Sequence, residues 1–311
     1  QCHGEAGELV VAASSLAFAL QLQKDKPAAL VNSSTETSPQ RSSNSPTKTS
    51  RSARQPTRQQ RSSQHLRIHK MPATVIVAKC AAEVPVEAVG GKPTTVYWDI
   101  CGLGQCPRYA LELAGVDYVD VRVDAGDASA PDYKAIWLQQ AKPGTTAAGL
   151  HFSNLPYYLD ADVKLAQSNA VLRYLGRKHG LYGAAGAEHV VDVVLDQATD
   201  LDNAITGPCY RDFSALTPFF LDVLPEKLDA WAARLGGGPY VTGASLSIGD
   251  LKIYETLRKL ALIEQAQGTA VLARYASLAA FVARVDVDLG TYRASPAFLE
   301  RPLNNPHAQF R

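Results

Sequence analysis

The order of periodic segments between Thr94 and His179 limits the possible folds of this chain more than any other feature. Val96-Tyr97-Trp98-Asp99-Ile100 mixes β-branched and aromatic residues and reads as a strand. Gly102 ends it, and Pro107 suits the first turn of a helix running to Ala114. Tyr118 to Val123 alternates strictly, the pattern of a second strand. Pro131 opens a short helical run through Trp137 to Gln140, which Lys142-Pro143-Gly144 should break. Asn154 to Leu159, a turn at Asp160-Ala161-Asp162, and Lys164 to Ala166 read as a β-hairpin. Ser168 then opens a helix whose end carries Arg177, Lys178 and His179, a charge order that suits the helix dipole. A βαβ half followed by a ββα half is the thioredoxin arrangement, with a four-stranded mixed sheet.

After a Gly/Ala linker at 180–186 the strand signal vanishes. Helical spacing runs from Glu188 to Ile205, and from Leu216 to Leu235, the latter broken by Pro218 and Pro225. Ser247-Ile248-Gly249-Asp250 fits a capping box that opens a helix to Ile263. Val271 to Val285 and a short segment from Ser295 to Leu299 complete an all-α bundle over 188–302, with 303–311 as a tail.

The leader is different in kind. Residues 1–70 carry 10 basic and 4 acidic side chains, leaving 21 of the 31 basic and 26 of the 30 acidic residues for the remainder. From Thr37 to Lys70 the chain is rich in Ser, Thr, Gln, Pro and Arg, with no acid, and cannot bury a core. It has the composition of a plastid or mitochondrial transit peptide. Met71, the one methionine, offers the alternative of a true start there. Residues 1–93 as a whole are expected to be a disordered leader, with 71–93 a loose stretch ending at a Gly-Gly turn. The apolar run Leu9 to Leu20 is too short to span a bilayer. The folded part is mildly acidic, which argues against a nucleic-acid surface. Cys2, Cys80, Cys101, Cys106 and Cys209 form no CxxC and no zinc spacing, so reduced thiols and no metal are expected.

Three places carry chemistry. A phenol at Tyr97, near the end of a strand and facing a helix start, can hold an anion; an ordinary core tyrosine has the same pattern. Gln167-Ser168 at a helix start offers free N–H groups to a carboxylate, and a plain serine cap is compatible with that. Pro156 fits an ordinary trans proline beginning an edge strand. In the thioredoxin order it is expected to be cis and to expose the backbone of Leu155.

Taken in order, YWDI…GL, NLPY, QSN and the capping box resemble the cytosolic glutathione S-transferases, and in detail the mu class, over about residues 94–302. Further matches are Trp137-Leu138, Arg177-Lys178-His179 and Leu224-Pro225-Glu226-Lys227-Leu228. The resemblance implies that Tyr97 is the catalytic tyrosine and that Trp98 and Leu103 contact glutathione. It implies that Trp137 reaches the glycyl carboxylate, and that Asn154 and Leu155, before Pro156, pair with the cysteinyl backbone. Gln167 and Ser168 match the pair that holds the γ-glutamyl end, Asp200 an aspartate that reaches it in the partner subunit, and Tyr210 a wall of the second-substrate pocket.

There are two departures. Cys101 stands where the family usually has arginine, and the lysine beside the glycyl carboxylate falls at Ala141, with Lys142 one place off. The implied protein is a cytoplasmic, homodimeric detoxification enzyme that uses glutathione as co-substrate and needs no cofactor, membrane or nucleic acid. It conjugates the thiolate to hydrophobic electrophiles held between the domains. Three alternatives share the fold: a thiol transferase using Cys101, a glutathione-dependent isomerase, and a non-catalytic ligand-binding member. A location in plastid or mitochondrion follows if residues 1–70 are a transit peptide.

Overall fold

The computed structural model describes residues 73–311. The expectations about residues 1–72 lie outside the described residues. From residue 73 onward the leader reading needs correction. Thr74–Ala78 is a strand, β1, and the segment behind it forms 3-10 turns at Ala81–Glu83 and Val89–Gly91. Ile76 and Ala78 of TVIVA find cover, and the whole strand finds backbone partners, so it folds as part of the sheet.

The sheet order is β1-β3-β2-β4-β5, with β2 at Thr94–Trp98, β3 at Val119–Val123, β4 at Tyr157–Leu159 and β5 at Lys164–Ala166. β1 and β2 both run parallel to β3, and the β4–β5 hairpin is antiparallel to β2. This is the mixed thioredoxin-like sheet, with a fifth strand on the β3 edge. All five residues of β2 are buried, as expected of a central strand.

Each face of the sheet has its own core. One gathers Trp137, Leu150, Tyr157 and Leu159 with Val96 and Val121. Trp137 comes from a π-helical turn, Ile136–Ala141, that runs straight into helix α2, Lys142–Ala147. The expected break at Lys142-Pro143-Gly144 is therefore helical: Pro143 occupies the first turn, where its missing N–H has no partner to lose. The other face carries α1 (Gln105–Leu113) and α3 (Ser168–Lys178), and its core runs unbroken into the helical domain.

That domain contains α4 (Glu188–Arg211), α5 (Leu216–Asp222), α6 (Leu224–Leu235), α7 (Ile248–Gln267), α8 (Ala276–Leu289) and the single turn α9 (Pro296–Leu299). α4 outruns its expected end at Ile205. It continues through Pro208 because Cys209, fully buried, anchors the last turn in the core. The capping box forms: the Ser247 hydroxyl accepts the N–H of Gly249, and the Asp250 carboxylate accepts that of Ser247. α7 is buried almost all round and ends at Gly268, whose φ of 69° is the left-handed cap that glycine tolerates. α8 begins later than its periodicity suggests. The Glu264 carboxylate accepts the N–H groups of Val271 and Leu272, which pins that segment as a separate turn.

Candidate functional site

β2 delivers Tyr97 to the point where the two domains meet. Val96 pairs with Tyr157, so the antiparallel ladder ends one residue before Tyr97 on β2 and one residue after Pro156 on the facing strand. The Leu155–Pro156 peptide is cis. After β2 the chain turns through Gly102–Gly104 directly over the Tyr97 ring. A methyl group on Gly104 would lie 2.5 Å from Cδ1 of that ring, and one on Gly102 would lie 2.7 Å from the phenol oxygen. Glycine is thus what lets the loop close on the ring. The closure has a chemical product: the Leu103 N–H donates to the Tyr97 oxygen at 3.1 Å. The phenol accepts this bond and keeps its own proton to give. Burial, the largest influence, raises its pKa to about 12, against the lowering effect of that N–H and of the Lys259 charge. Tyr97 is therefore a neutral donor at any physiological pH.

The other expected site residues surround this point unevenly. Trp98 is buried, with the Lys134 ammonium 5.7 Å from its ring centroid, and Leu103 is partly exposed beside the phenol. Trp137 is fully buried, stacked on Tyr157 at 5.8 Å, and Lys142 is half-buried at the start of α2. Asn154 is exposed, and its side-chain oxygen accepts the Leu155 N–H at 3.0 Å. Gln167 is exposed with φ of 74°, a strained value for a side-chain-bearing residue, and it turns the chain so that Ser168 starts α3. No side chain caps that helix, so its first N–H groups lack a side-chain acceptor. Tyr97, Leu103, Asn154, Leu155, Pro156, Gln167 and Ser168 all sit on β2, the β4–β5 hairpin or the turns beside them. Asp200 stands apart, exposed on α4.

Tyr210 lies near the end of α4, on the helical side. Its hydroxyl accepts the N–H of Asn305 at 2.9 Å. This brings in a segment to which periodicity assigned no role. Residues 302–310 bridge the two domains as a strap. The Cys101 and Gly102 N–H groups donate to the carbonyls of Pro302 and Leu303, the Tyr133 hydroxyl meets His307 Nδ1 at 2.7 Å, and Phe213 stacks on Phe310. His307 also packs on the Tyr210 ring at 4.9 Å. The signal for the strap was slight: Asn304-Asn305-Pro306 is turn chemistry without a period.

The cysteines are set for packing. Cys101 and Cys106 are buried, and burial pushes both thiols up, Cys106 to about 12. Cys101 Sγ lies 3.6 Å from the Arg301 carbonyl oxygen. Among the described residues no group of three or more His, Cys, Asp or Glu side chains is placed to hold a metal ion.

Fold and motif order together define a glutathione S-transferase, and comparison with known proteins agrees. Residues 93–177 match the family description "Glutathione S-transferase, N-terminal domain", and residues 199–288 match "Glutathione S-transferase, C-terminal domain". The chain belongs to the glutathione S-transferase family and is by that membership a glutathione transferase. Within the family it resembles the mu class. It is 37 % identical to Glutathione S-transferase Mu 2 of Rattus norvegicus over 215 residues, covering 68 % of this chain and 94 % of that one. It is 36 % identical to Glutathione S-transferase Mu 1 of Bos taurus over 212 residues, covering 67 % and 93 %. The Pi-class glutathione S-transferase of Onchocerca volvulus shares the fold, with TM-score 0.59 at 22 % identity over 70 % of this chain and 100 % of that chain.

Proposed function

We propose that the protein conjugates glutathione to hydrophobic electrophiles, with Tyr97 donating its hydrogen bond to the glutathione sulfur. The observation that carries this reading is the bond from the Leu103 N–H to the Tyr97 oxygen, which fixes the phenol where burial favours its protonated form. A free thiol of pKa about 8.5 is only a few per cent thiolate at neutral pH. A hydrogen bond to the anion lowers that pKa, and a drop of about two units corresponds to roughly 2.7 kcal/mol. The thiol proton leaves to solvent. For an aryl halide, sulfur then bonds to the ring carbon and the carbon–halogen electron pair departs with the halide. The uncapped start of α3 at Ser168, with Gln167 beside it, holds the γ-glutamyl carboxylate; the Leu155 backbone beside Pro156 pairs with the cysteinyl unit. The reading makes glutathione a co-substrate and requires no cofactor. The buried, high-pKa thiol of Cys101 weighs against the thiol-transferase alternative.

A homodimer belongs to the same reading, and two surface features support it. Phe152 is 88 % exposed at a loop tip two residues before Asn154, with φ of 55°. Between α4 and α6 lies a groove of about 580 Å³ lined by Val190, Val193, Val194, Leu201 and Trp231 together with polar groups that include Asp200, Glu226, Lys227 and Arg234. An exposed aromatic and a groove that is apolar over part of its lining can be self-complementary under two-fold symmetry. Four free cysteines among the described residues fit a reducing compartment, here the cytoplasm. No described helix is long and apolar enough to cross a membrane.

Two assays on the full chain separate the alternatives: conjugation of glutathione to dinitrochlorobenzene, and glutathione-dependent reduction of a mixed disulfide. Conjugation that depends on Tyr97 supports the reading. Disulfide reduction that depends on Cys101, without conjugation, overturns it.

A further inference from the structure

One buried carboxylate holds both sides of the turn that closes on Tyr97. Asp120, on β3, pairs in register with Thr95 of β2. Its Oδ1 receives Arg108 Nε at 2.8 Å, and its Oδ2 receives Arg122 Nε at 3.0 Å and Arg301 Nη2 at 3.1 Å. Arg108 and Arg301 are as deeply buried as Asp120 and carry the bonding outward in two directions. Arg108, on α1, gives Nη1 to the Ile100 carbonyl at 2.9 Å. Arg301, just before the strap, gives Nη1 to Gln105 Oε1 at 2.9 Å.

The two branches meet again at the turn. Cys101, next after Ile100, donates its N–H to the carbonyl of Pro302, next after Arg301, at 2.8 Å, and the Gly102 N–H reaches the Leu303 carbonyl at 3.1 Å. The contacts close a ring from Asp120 through Arg108, Ile100, Cys101, Pro302 and Arg301 back to Asp120. The turn is thereby held before Leu103, at residues 100–102, and after it, at Gln105. Leu103 is the residue whose N–H donates to the Tyr97 oxygen at 3.1 Å. Stability alone does not call for such a cluster, since apolar side chains often replace a buried ion group without loss. Arg108 Nη2 and Arg301 Nε are moreover buried with no partner among the described residues, which costs free energy. What each guanidinium adds is direction: its planar fork bonds the carboxylate and a second oxygen at fixed angles, which a lysine on its flexible stem does not.

We propose that Asp120, Arg108 and Arg301 form a positioning unit for the reaction, which fixes the turn 100–105 so that the Leu103 N–H meets the Tyr97 oxygen and aims the phenol at the glutathione sulfur. The inference rests on the thiolate reading above. The unit touches neither substrate and acts through the phenol.

The test is the ultraviolet titration of bound glutathione thiolate on the full chain, read with the pH profile of kcat/KM for dinitrochlorobenzene. Arg108→Lys keeps the charge beside Asp120 and loses the fork that also reaches the Ile100 carbonyl. It should raise the bound thiol pKa by about one unit and so lower kcat/KM at pH 6.5 about tenfold. The KM for glutathione should stay nearly unchanged, and the profiles should converge near pH 9. Added to Tyr97→Phe, Arg108→Lys should give no further shift, because both act through one hydrogen bond. Arg122 shares the carboxylate but turns to Asp99 and the Ala297 carbonyl instead of the turn, so Arg122→Lys should leave the titration at wild type. Arg301→Lys should act as Arg108→Lys does, and serves as the test if that variant does not fold. An Arg108→Lys titration that superimposes on wild type, an equal shift for Arg122→Lys, or full additivity with Tyr97→Phe overturns the assignment. If Tyr97→Phe itself leaves the titration in place, the thiolate reading fails; if Tyr97→Phe moves it and Arg108→Lys does not, only the positioning unit fails.

Discussion

Gly104→Ala is the sharpest probe of how the loop sets the phenol. Gly104 has φ of −80° and ψ of −15°, ordinary for any residue, so backbone strain plays no part. At such a position alanine normally stabilises by about 0.4–1 kcal/mol through the unfolded chain. Here the new methyl would meet Cδ1, Cγ and Cβ of Tyr97 at 2.5, 2.7 and 2.8 Å. Carbon atoms rest at about 3.5–4.0 Å, so roughly 1 Å of displacement has to be absorbed. The stem of a buried tyrosine in a central strand is the least able part of that side chain to yield. Overpacking of this kind costs about 1–3 kcal/mol, and each kcal/mol lowers Tm by about 2–4 °C in a domain this size. Activity should suffer more than stability, since a misplacement near 1 Å costs about a hundredfold in rate. Thermal melting and steady-state conjugation kinetics measure the two together. A variant with Tm at or above wild type and full kcat/KM would show that the loop does not position Tyr97.

Tyr97→Phe should raise the pKa of bound glutathione by one to two units, about the strength of one hydrogen bond to an anion, and leave its affinity nearly unchanged. Cys101→Ser should change neither; loss of turnover in Cys101→Ser alone would transfer the chemistry to the thiol. Phe152→Ser should weaken self-association, and sedimentation that finds wild type and variant equally monomeric at micromolar concentration would refute the dimer. Acid should destabilise the fold. Burial pushes the Asp202 and Asp120 carboxyls up, but Lys259 and Lys252 hold the first, and Arg108, Arg301 and Arg122 the second, below the usual range. With folded pKa values depressed, this stability is complete above the unfolded value of about 4 and is lost as pH falls below it. Melting curves that stay unchanged between pH 6 and pH 3 would contradict that account.

The sheet, the hairpin, the capping box and the helical domain were legible because each is written as a local period or cap. The positions of Tyr97, Pro156 and Ser168 at the ends of such elements were legible too, but their roles came only from the family resemblance and not from any local pattern. What escaped has non-local causes. TVIVA at 74–78 is a strand because the edge of β3 is open to it, which no window around residue 76 reveals. Lys142-Pro143-Gly144 is a proper breaker in isolation, yet the π-helical turn before it places Pro143 where a helix tolerates proline. α4 continues past Gly207-Pro208 because Cys209 has a buried seat, an instance of tertiary packing overriding propensity.

The strap is the furthest of these from local reading, and it changes how Cys101 is understood. Cys101 stands where the family usually has arginine. In the fold its N–H bonds the Pro302 carbonyl, its side chain meets the Arg301 carbonyl, and the Arg301 guanidinium is itself buried against Asp120 and Gln105. A small apolar side chain is what this packing admits, so the residue serves the docking of the strap. The consequence reaches the chemistry from both sides. The Gly102 N–H holds the strap, the Leu103 N–H one residue on holds the Tyr97 oxygen, and the strap's Asn305 holds Tyr210. The loop that sets the phenol and the strap that holds Tyr210 are thus one hydrogen-bonded unit, so a change in the strap is expected to disturb the setting of Tyr97, and with it the proposed thiol activation.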